Sequence, residues 1–263
     1  MKTVAIIPAR FESVRYPGKP LALLKQPDGT SKSLIEMTWE AAGRISGVDE
    51  IYVATDDQRI RELAQSIGAS VIMTSSDCEN GTARCADAVA RANLDADIIV
   101  NFQGDAPLTP PWFVEDLIGA MKANVEIQMA TPVVRCDSVT YQHLVEDRRH
   151  GRVGGTTAVF DSVGNALYFS KEVLPYFNPD ATQLDPVPVF HHVGVYSYRP
   201  SALESYIRWP AGNLERLEGL EQLRFLENGC PVKCVIVEGQ GRVFWEVNNP
   251  SDVPRIEALL AAQ

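Results

Sequence analysis

The feature that most constrains the fold is an alternation through the first hundred residues. Short apolar runs bounded by turn residues are each followed by a stretch with helical spacing. Val4–Pro8, Ile51–Thr55, Val71–Thr74 and Asp97–Phe102 are runs fit for buried strands. Between them, Ser33–Ser46 carries Leu34, Met37, Ala41 and Ile45 on one stripe behind a serine cap. Asp56-Asp57 reads as a helix start, Ile60, Leu63, Ala64 and Ile67 follow at helical spacing, and Gly68 reads as the C-terminal cap. A further helix is expected around Arg84–Asn93. Strands of this kind, separated by helices, pack as a parallel sheet covered on both faces. The predicted fold is therefore α/β, a Rossmann-like three-layer arrangement on a mixed, mostly parallel sheet.

The second half is less regular. Gln128–Val134, Thr156–Phe160, Val193–Tyr198 and Val232–Val237 read as strands, and Leu214–Asn228 as a helix ending at Gly229. Antiparallel additions to the sheet edge suit this better than a second domain. A chain of 263 residues that is 45% hydrophobic can bury one large core, so a single domain over 1–263 is expected.

Ligands on such sheets sit beyond the carboxyl ends of the strands. There, Ile6–Leu21 runs from an apolar strand into a loop with Arg10, Ser13, Arg15, Gly18 and Lys19. A bound nucleoside triphosphate needs many donors at short range, and two guanidinium forks, an ammonium and a glycine that lets backbone approach can supply them. Lys19 is followed by Pro20, so this is not a P-loop. A solvated basic loop is the competing reading.

The background is acidic. A net charge of −10 disfavours a nucleic-acid partner, so the local positive loop stands out. No apolar run approaches the ~18 residues of a membrane span, and MKTVAIIPAR is too short an apolar stretch for a signal peptide. A soluble, cytoplasmic protein without membrane contact is expected. The five cysteines (78, 85, 136, 230 and 234) lack metal-site spacing, as do the four histidines, and reduced thiols fit best.

Val100–Pro107 is a strand that ends in Gln103-Gly104-Asp105. Mg²⁺ needs only one or two protein oxygens and takes the rest from phosphates and water, so one aspartate can anchor it. The alternative is that Asp105 merely caps a turn before Pro107.

These segments together resemble the 3-deoxy-manno-octulosonate (Kdo) cytidylyltransferases, within the nucleotide-diphospho-sugar transferase fold. The resemblance covers nearly the whole chain. It rests on PARFESVRYPGKPL, ATDDQRI at 54–60, MTS at 73–75, GTAR at 81–84, VNFQGDAPL at 100–108, ALYFSK at 166–171, HVGVYSYR at 192–199 and LERLEGLEQLR at 214–224. It implies that CTP binds mainly to 1–125, with Ala9, Arg10, Ser13, Arg15 and Lys19 at its phosphates and Ser75, Gly81 and Arg84 near the base. It also implies that Gln103 and Asp105 bridge nucleotide, Mg²⁺ and acceptor, with Arg10, Lys19 and Asp105 catalytic. The acceptor and a dimer partner fall mainly to 126–263, where Lys171, His192, Tyr196, Glu221 and Gln222 line the acceptor pocket. Without it, His192 and Tyr196 alternate along one strand and could be core, and Glu221 and Gln222 read as solvated positions on a leucine-striped helix.

The implied reaction is attack by an acceptor oxygen on the α-phosphate of CTP, with pyrophosphate leaving in line. No protein nucleophile is required, so the cysteines are no sign of one, and Cys78 stands where the family usually has histidine. Three departures cluster on the acceptor side. Asn248 occupies the place of the family's second metal-binding aspartate, beside Glu246. Thr157 replaces a lysine. Lys171 stands where arginine is usual, and the arginine expected within 174–178 is missing. A different small acid is therefore an open alternative to Kdo, such as a modified ulosonic acid or a phosphonate. The basic run Arg148, Arg149, His150 and Arg152 would then lie near the pocket or form a solvated loop. A nucleotide-binding protein without turnover is a rival from another class. A glycosyltransferase is a weaker one, since Asp56-Asp57 is not a D-x-D motif.

Overall fold

The computed structural model describes residues 1–13, 15–153, 155–177, 187–241, 247 and 249–261. Strand β1 (Thr3–Ala9) sets the layering: Ala5, Ile7 and Ala9 enter one core, Val4 and Ile6 the other, and none is more than 3% exposed. Period-two alternation with both faces apolar requires cover on both sides.

A separate hairpin of β2 (Leu23–Lys25) and β3 (Ser31–Ser33) leads into α1 (Leu34–Ala42). Ser33 caps that helix in a reciprocal box with Glu36. Then come β4 (Glu50–Thr55), α2 (Gln58–Ser66), β5 (Ser70–Met73), α3 (Gly81–Ala92) and β6 (Ile98–Phe102). Asp57 caps α2 through the amides of Arg59 and Ile60, and Gly68 follows its end at φ 88°, as the sequence predicts.

The rest of the chain supplies α4 (Pro111–Ala123), β7 (Met129–Arg135), α5 (Ser138–Arg149), β8 (Thr156–Phe160) and β9 (Ala166–Ser170). After these come β10 (Phe190–His192), β11 (Val195–Tyr198), α6 (Pro200–Tyr206), α7 (Asn213–Glu218), α8 (Leu223–Glu227), β12 (Val232–Val237) and α9 (Val253–Ala261).

Among the described residues one ten-stranded sheet runs β5-β4-β1-β6-β11-β7, with β12 on the far edge of β7 and β10-β8-β9 continuing from its end. The pairs β5–β4, β4–β1, β1–β6 and β7–β12 are parallel, and β11 lies antiparallel between β6 and β7. Helices α1, α2 and α4 cover one face and α3, α6 and α8 the other, giving the expected mixed three-layer sheet. No helix among the described residues is long and apolar enough to cross a membrane.

Two expected elements are broken. The strand read at Val193–Tyr198 is interrupted: β10 and β11 run in succession along the same edge of β7, with Val193 and Gly194 between them, so His192 and Tyr196 sit on different strands. The helix read at Leu214–Asn228 is two short helices separated at Gly219, which takes φ 62°. Its leucine stripe is not one continuous buried face, for Leu217 is 83% exposed and Leu214 38% while Leu223 is fully buried. What holds this turn is polar. Arg224 makes a two-pronged bond to Glu215, and Glu218 accepts from Ser170 Oγ at 2.7 Å and from the Lys171 amide at 2.9 Å.

Candidate active site

The chain turns from β1 to β4 and β5 on one side and to β6 on the other, so the crevice beyond the ends of β1 and β6 is a topological switch point. The two strands are close there: a methyl group on Gly104 would stand 2.7 Å from the Pro8 carbonyl, so position 104 admits only glycine without a shift. The loop after β1 folds back on itself, with the Gly18 amide donating to the Phe11 carbonyl at 2.9 Å and Gly18 at φ 70°. This closure delivers Lys19 across the crevice. Its Nζ lies 2.5 Å from Asp105 Oδ2, an ion pair between side chains only 16% and 24% exposed. Ala9 ends β1, Arg10 and Arg15 are exposed, and Ser13 is half-buried on the same loop.

On the other side of β6, Gln103 Nε2 donates to Glu221 Oε1 at 3.3 Å, while Glu221 Oε2 accepts the Thr82 amide at 3.0 Å at the start of α3. A helix N-terminus favours a carboxylate. Burial nevertheless wins: desolvation pushes the Glu221 carboxyl above its ordinary range, against the lowering effect of the Thr82 bonds. Tyr196 Oη donates to Gln222 Oε1 at 3.2 Å, and the Tyr196 and His192 rings lie 5.6 Å apart. His192 Nε2 is 2.9 Å from Thr131 Oγ1, whose hydroxyl can donate to the Val195 carbonyl at 2.9 Å. That assigns the imidazole proton to Nε2. Burial, with His191 beside it, holds the imidazole pKa down to about 3, so this ring is uncharged at neutral pH. The solvated reading of Glu221 and Gln222 is thereby corrected, since Gln222 is 1% exposed.

Lys171 lies over the broken helix, its Nζ 3.0 Å from where a methyl on Gly219 would stand. Gly81 backs onto Gln103, whose Nε2 would be 2.8 Å from a methyl there. Arg84 points inward: it is 3% exposed, and its Nη1 bonds Thr74 Oγ1 at 2.6 Å and pairs with Asp56 at 3.1 Å. It ties together the loops after β4 and β5, and the Ser75 amide is held by Asp87 at 2.7 Å. Asn248 and Glu246 lie outside the described residues. Val247, next to Asn248 in the chain, is buried and donates its amide to the Asp105 carbonyl at 2.9 Å.

The departures look different in space. Thr157 is buried, donates to the Glu172 carbonyl at 2.7 Å and accepts the Leu174 amide at 3.1 Å, so it has a structural use. The basic run closes the last turn of α5. Arg149 and His150 pair with Glu146, Arg152 pairs with Asp147, and Arg148 pairs with Glu172 beside Lys171. Cys78 is no activated thiol, because burial raises its pKa.

Several participants escaped the sequence reading. Thr82 and Asn80 present the start of α3 to Glu221 and to Tyr206, whose hydroxyl is 2.7 Å from Asn80 Nδ2. Asn101, buried in β6, is flanked by apolar residues and gave no signal beyond its polarity.

Cations on the loop after β1 facing a carboxylate on the loop after β6, with a wall of buried polar groups beside them, define a nucleotidyltransferase-type site on a three-layer α/β sheet. Residues 4–236 match the family model described as cytidylyltransferase. The chain is 42% identical to the 3-deoxy-manno-octulosonate cytidylyltransferase of Maricaulis maris, over 100% of this chain and 98% of that one. It is 39% identical to the 8-amino-3,8-dideoxy-manno-octulosonate cytidylyltransferase of Shewanella frigidimarina, over 99% of both. A solved CMP:2-keto-3-deoxy-manno-octonic acid synthetase complexed with CTP superposes with TM-score 0.84 at 32% identity, covering 100% of this chain and 99% of that one. The chain belongs to the cytidylyltransferase family, on the branch of the 3-deoxy-manno-octulosonate enzymes.

Proposed function

We propose that this enzyme transfers CMP from CTP to a 3-deoxy-ulosonic acid, releasing pyrophosphate. The Lys19–Asp105 pair at the switch point, with Gln103 two residues before Asp105 on the neutral side, is the observation that carries this reading. An oxygen of the acceptor attacks the α-phosphorus. The bond from that phosphorus to the leaving pyrophosphate oxygen breaks, and the acceptor hydroxyl gives up its proton to solvent. Arg10, Ser13, Arg15 and Lys19 hold the triphosphate and offset charge on the departing pyrophosphate, so that catalysis is positioning and electrostatics. Ser75, Gly81 and Arg84 shape the nucleotide side. Gln103, Lys171, His192, Tyr196, Glu221 and Gln222 hold the acceptor, and neutral amides and a phenol suit its hydroxyls.

The donor set fits a magnesium ion. Asp105 is a largely buried carboxylate already balanced by one cation, and no group of three metal-ligating side chains occurs among the described residues. That matches an ion that takes most of its ligands from phosphate and water. Asp105 would hold it, with Asn248 as a candidate neutral oxygen. Such an ion would polarise the α-phosphate and help neutralise the leaving group. We further infer a homodimer working in the cytoplasm, as the family resemblance implies.

The test is pyrophosphate release from CTP and Mg²⁺ with Kdo, its 8-amino-3,8-dideoxy analogue and small phosphonates. Turnover with Kdo makes Thr157, Lys171 and Asn248 tolerated variation. Turnover with only another acid makes them the specificity change, and no release with any ulosonic acid overturns the reading.

A further inference from the structure

Asn101 sits in β6 with none of its surface exposed, and neither its Oδ1 nor its Nδ2 has a hydrogen-bond partner among the described residues. Buried carboxamides are rarely left so, because each unpaired group forfeits its hydration with nothing in exchange. Its surroundings place it under the candidate acceptor pocket. Tyr196 is its cross-strand partner in β11, so the two side chains leave the sheet on the same face. A methyl on Gly81 would stand 3.3 Å from Asn101 Nδ2, 2.8 Å from Gln103 Nε2 and 3.2 Å from Gln103 Oε1. The carboxamides of Asn101, in β6, and of Gln103, just past the strand's end, therefore converge on a single point at the start of α3, where the absence of a side chain leaves them room. They are not bonded to each other. Gln103 instead makes a long bond to Glu221 at 3.3 Å, and the Gln222 Nε2 is also buried without a hydrogen-bond partner among the described residues. This floor thus holds polar atoms that the described residues leave unpaired.

We propose that Asn101 is a positioning residue for the acceptor: its carboxamide bonds Gln103 when an acceptor hydroxyl draws Gln103 away from Glu221, fixing the Gln103 side chain in its working orientation. This rests on the reading that Gln103 contacts the acceptor. The proposal explains why a polar residue persists inside an otherwise apolar strand, and it makes the free enzyme carry an unpaired buried amide that the complex satisfies. A purely structural asparagine, held by a buried water, would do the reverse and stabilise the free enzyme.

The two roles predict opposite signs. Asn101→Leu keeps the shape and removes the unpaired polar atoms, so the unliganded variant should melt at the same temperature as the parent or ~2–4 °C higher. The KM for the turned-over acid, Kdo or its 8-amino analogue, should rise roughly tenfold, the effect of losing one neutral hydrogen bond in the complex. The KM for CTP should not move. A lowered melting temperature, or an unchanged acceptor KM, overturns the proposal. Asn101→Ala serves if the leucine variant does not fold. A cavity lowers its melting temperature in any case, so its acceptor KM alone decides: a rise supports the proposal and an unchanged value overturns it. Gln103→Leu, measured alongside, separates the two layers of inference. An acceptor KM unmoved in that variant removes Gln103 from the acceptor site, whereas a rise there without one in Asn101→Leu removes only the role assigned to Asn101.

Discussion

The two sides of β6 are built by opposite means for the polar ligands proposed there. Toward β1 the protein uses formal charge on a surface loop: Arg10 and Arg15 are exposed, and Lys19 and Asp105 form a partly exposed pair. Toward β11 it uses buried neutral groups, with His192, Tyr196 and Gln222 each no more than 6% exposed and the imidazole held uncharged. The difference follows from the ligands proposed for each side. A triphosphate brings several charges, which exposed cations can meet without a desolvation penalty of their own. A polyhydroxylated acid must be told from similar acids, and a site built from buried hydrogen-bonding groups rejects a ligand that leaves one of them unpaired.

The largest expected effect is therefore on the charged side. Asp105→Asn keeps the size of the side chain and its hydrogen bond from Lys19 but removes the negative charge. Turnover should fall by roughly 10²–10³, the range for losing one preorganised electrostatic group, with the acceptor KM little changed. Lys19→Met should cost a similar factor, and the double variant less than the product of the two, since the residues act as one pair. Pyrophosphate-release kinetics on all three variants check this. A change confined to the acceptor KM would put Asp105 on the wrong side of the comparison.

An intermediate effect belongs to the neutral wall. Tyr196→Phe removes the hydroxyl that donates to Gln222, and since Gln222 Nε2 has no partner among the described residues, they leave the whole carboxamide unsatisfied. Loss of about 1–2 kcal/mol of stability is expected, with roughly a tenfold rise in acceptor KM and an unaltered KM for CTP. Urea unfolding and the two KM values together decide it. A rise in the CTP term would mean that the two sides are not separate.

The same contrast governs what the sequence could reveal. Charges on the nucleotide side are contiguous in the chain, Arg10 to Lys19, and follow an apolar strand, so position and chemistry could be read together. The strands and helices of the first half were also legible, because caps at Ser33 and Asp57 and the glycine at 68 are local signals. The acceptor wall draws single residues from β6, β10, β11 and the turn before α8, and nothing local marks them. Leucines at 214, 217, 220, 223 and 226 mimic a helical stripe. The segment nevertheless bends at Gly219, because the bonds from Glu218 to Ser170 and Lys171, and the buried pair of Arg224 with Glu215, outweigh a stripe that buries little at its start. Helical propensity is a weak prior against tertiary contacts of that kind. The strand break at Gly194 has the same origin, since the Thr131 hydroxyl donates to the Val195 carbonyl at 2.9 Å and holds the irregular segment in place.

The smallest expected effect tests whether the imidazole in this wall is held neutral. Burial lowers the pKa of His192 to about 3 and that of His191 to about 4, from an ordinary 6.5. The unfolded chain therefore takes up protons below pH 6.5 that the folded chain refuses. Stability is complete above that value and is lost as pH falls toward the folded values, by about 1.4 kcal/mol per pH unit for each group. His192→Gln keeps a donor that can reach Thr131 Oγ1 but cannot titrate. Its unfolding free energy should change little at pH 8, while the slope between pH 6 and pH 4.5 should be shallower than the parent's by about 1.4 kcal/mol per unit. Urea unfolding at a series of pH values measures both slopes against the same carboxylate background, which cancels in the difference. Equal slopes would mean that the imidazole gains its proton as readily in the fold as out of it. His192 would then titrate near its ordinary 6.5, and the contrast across β6 between fixed charges and an uncharged imidazole would fail.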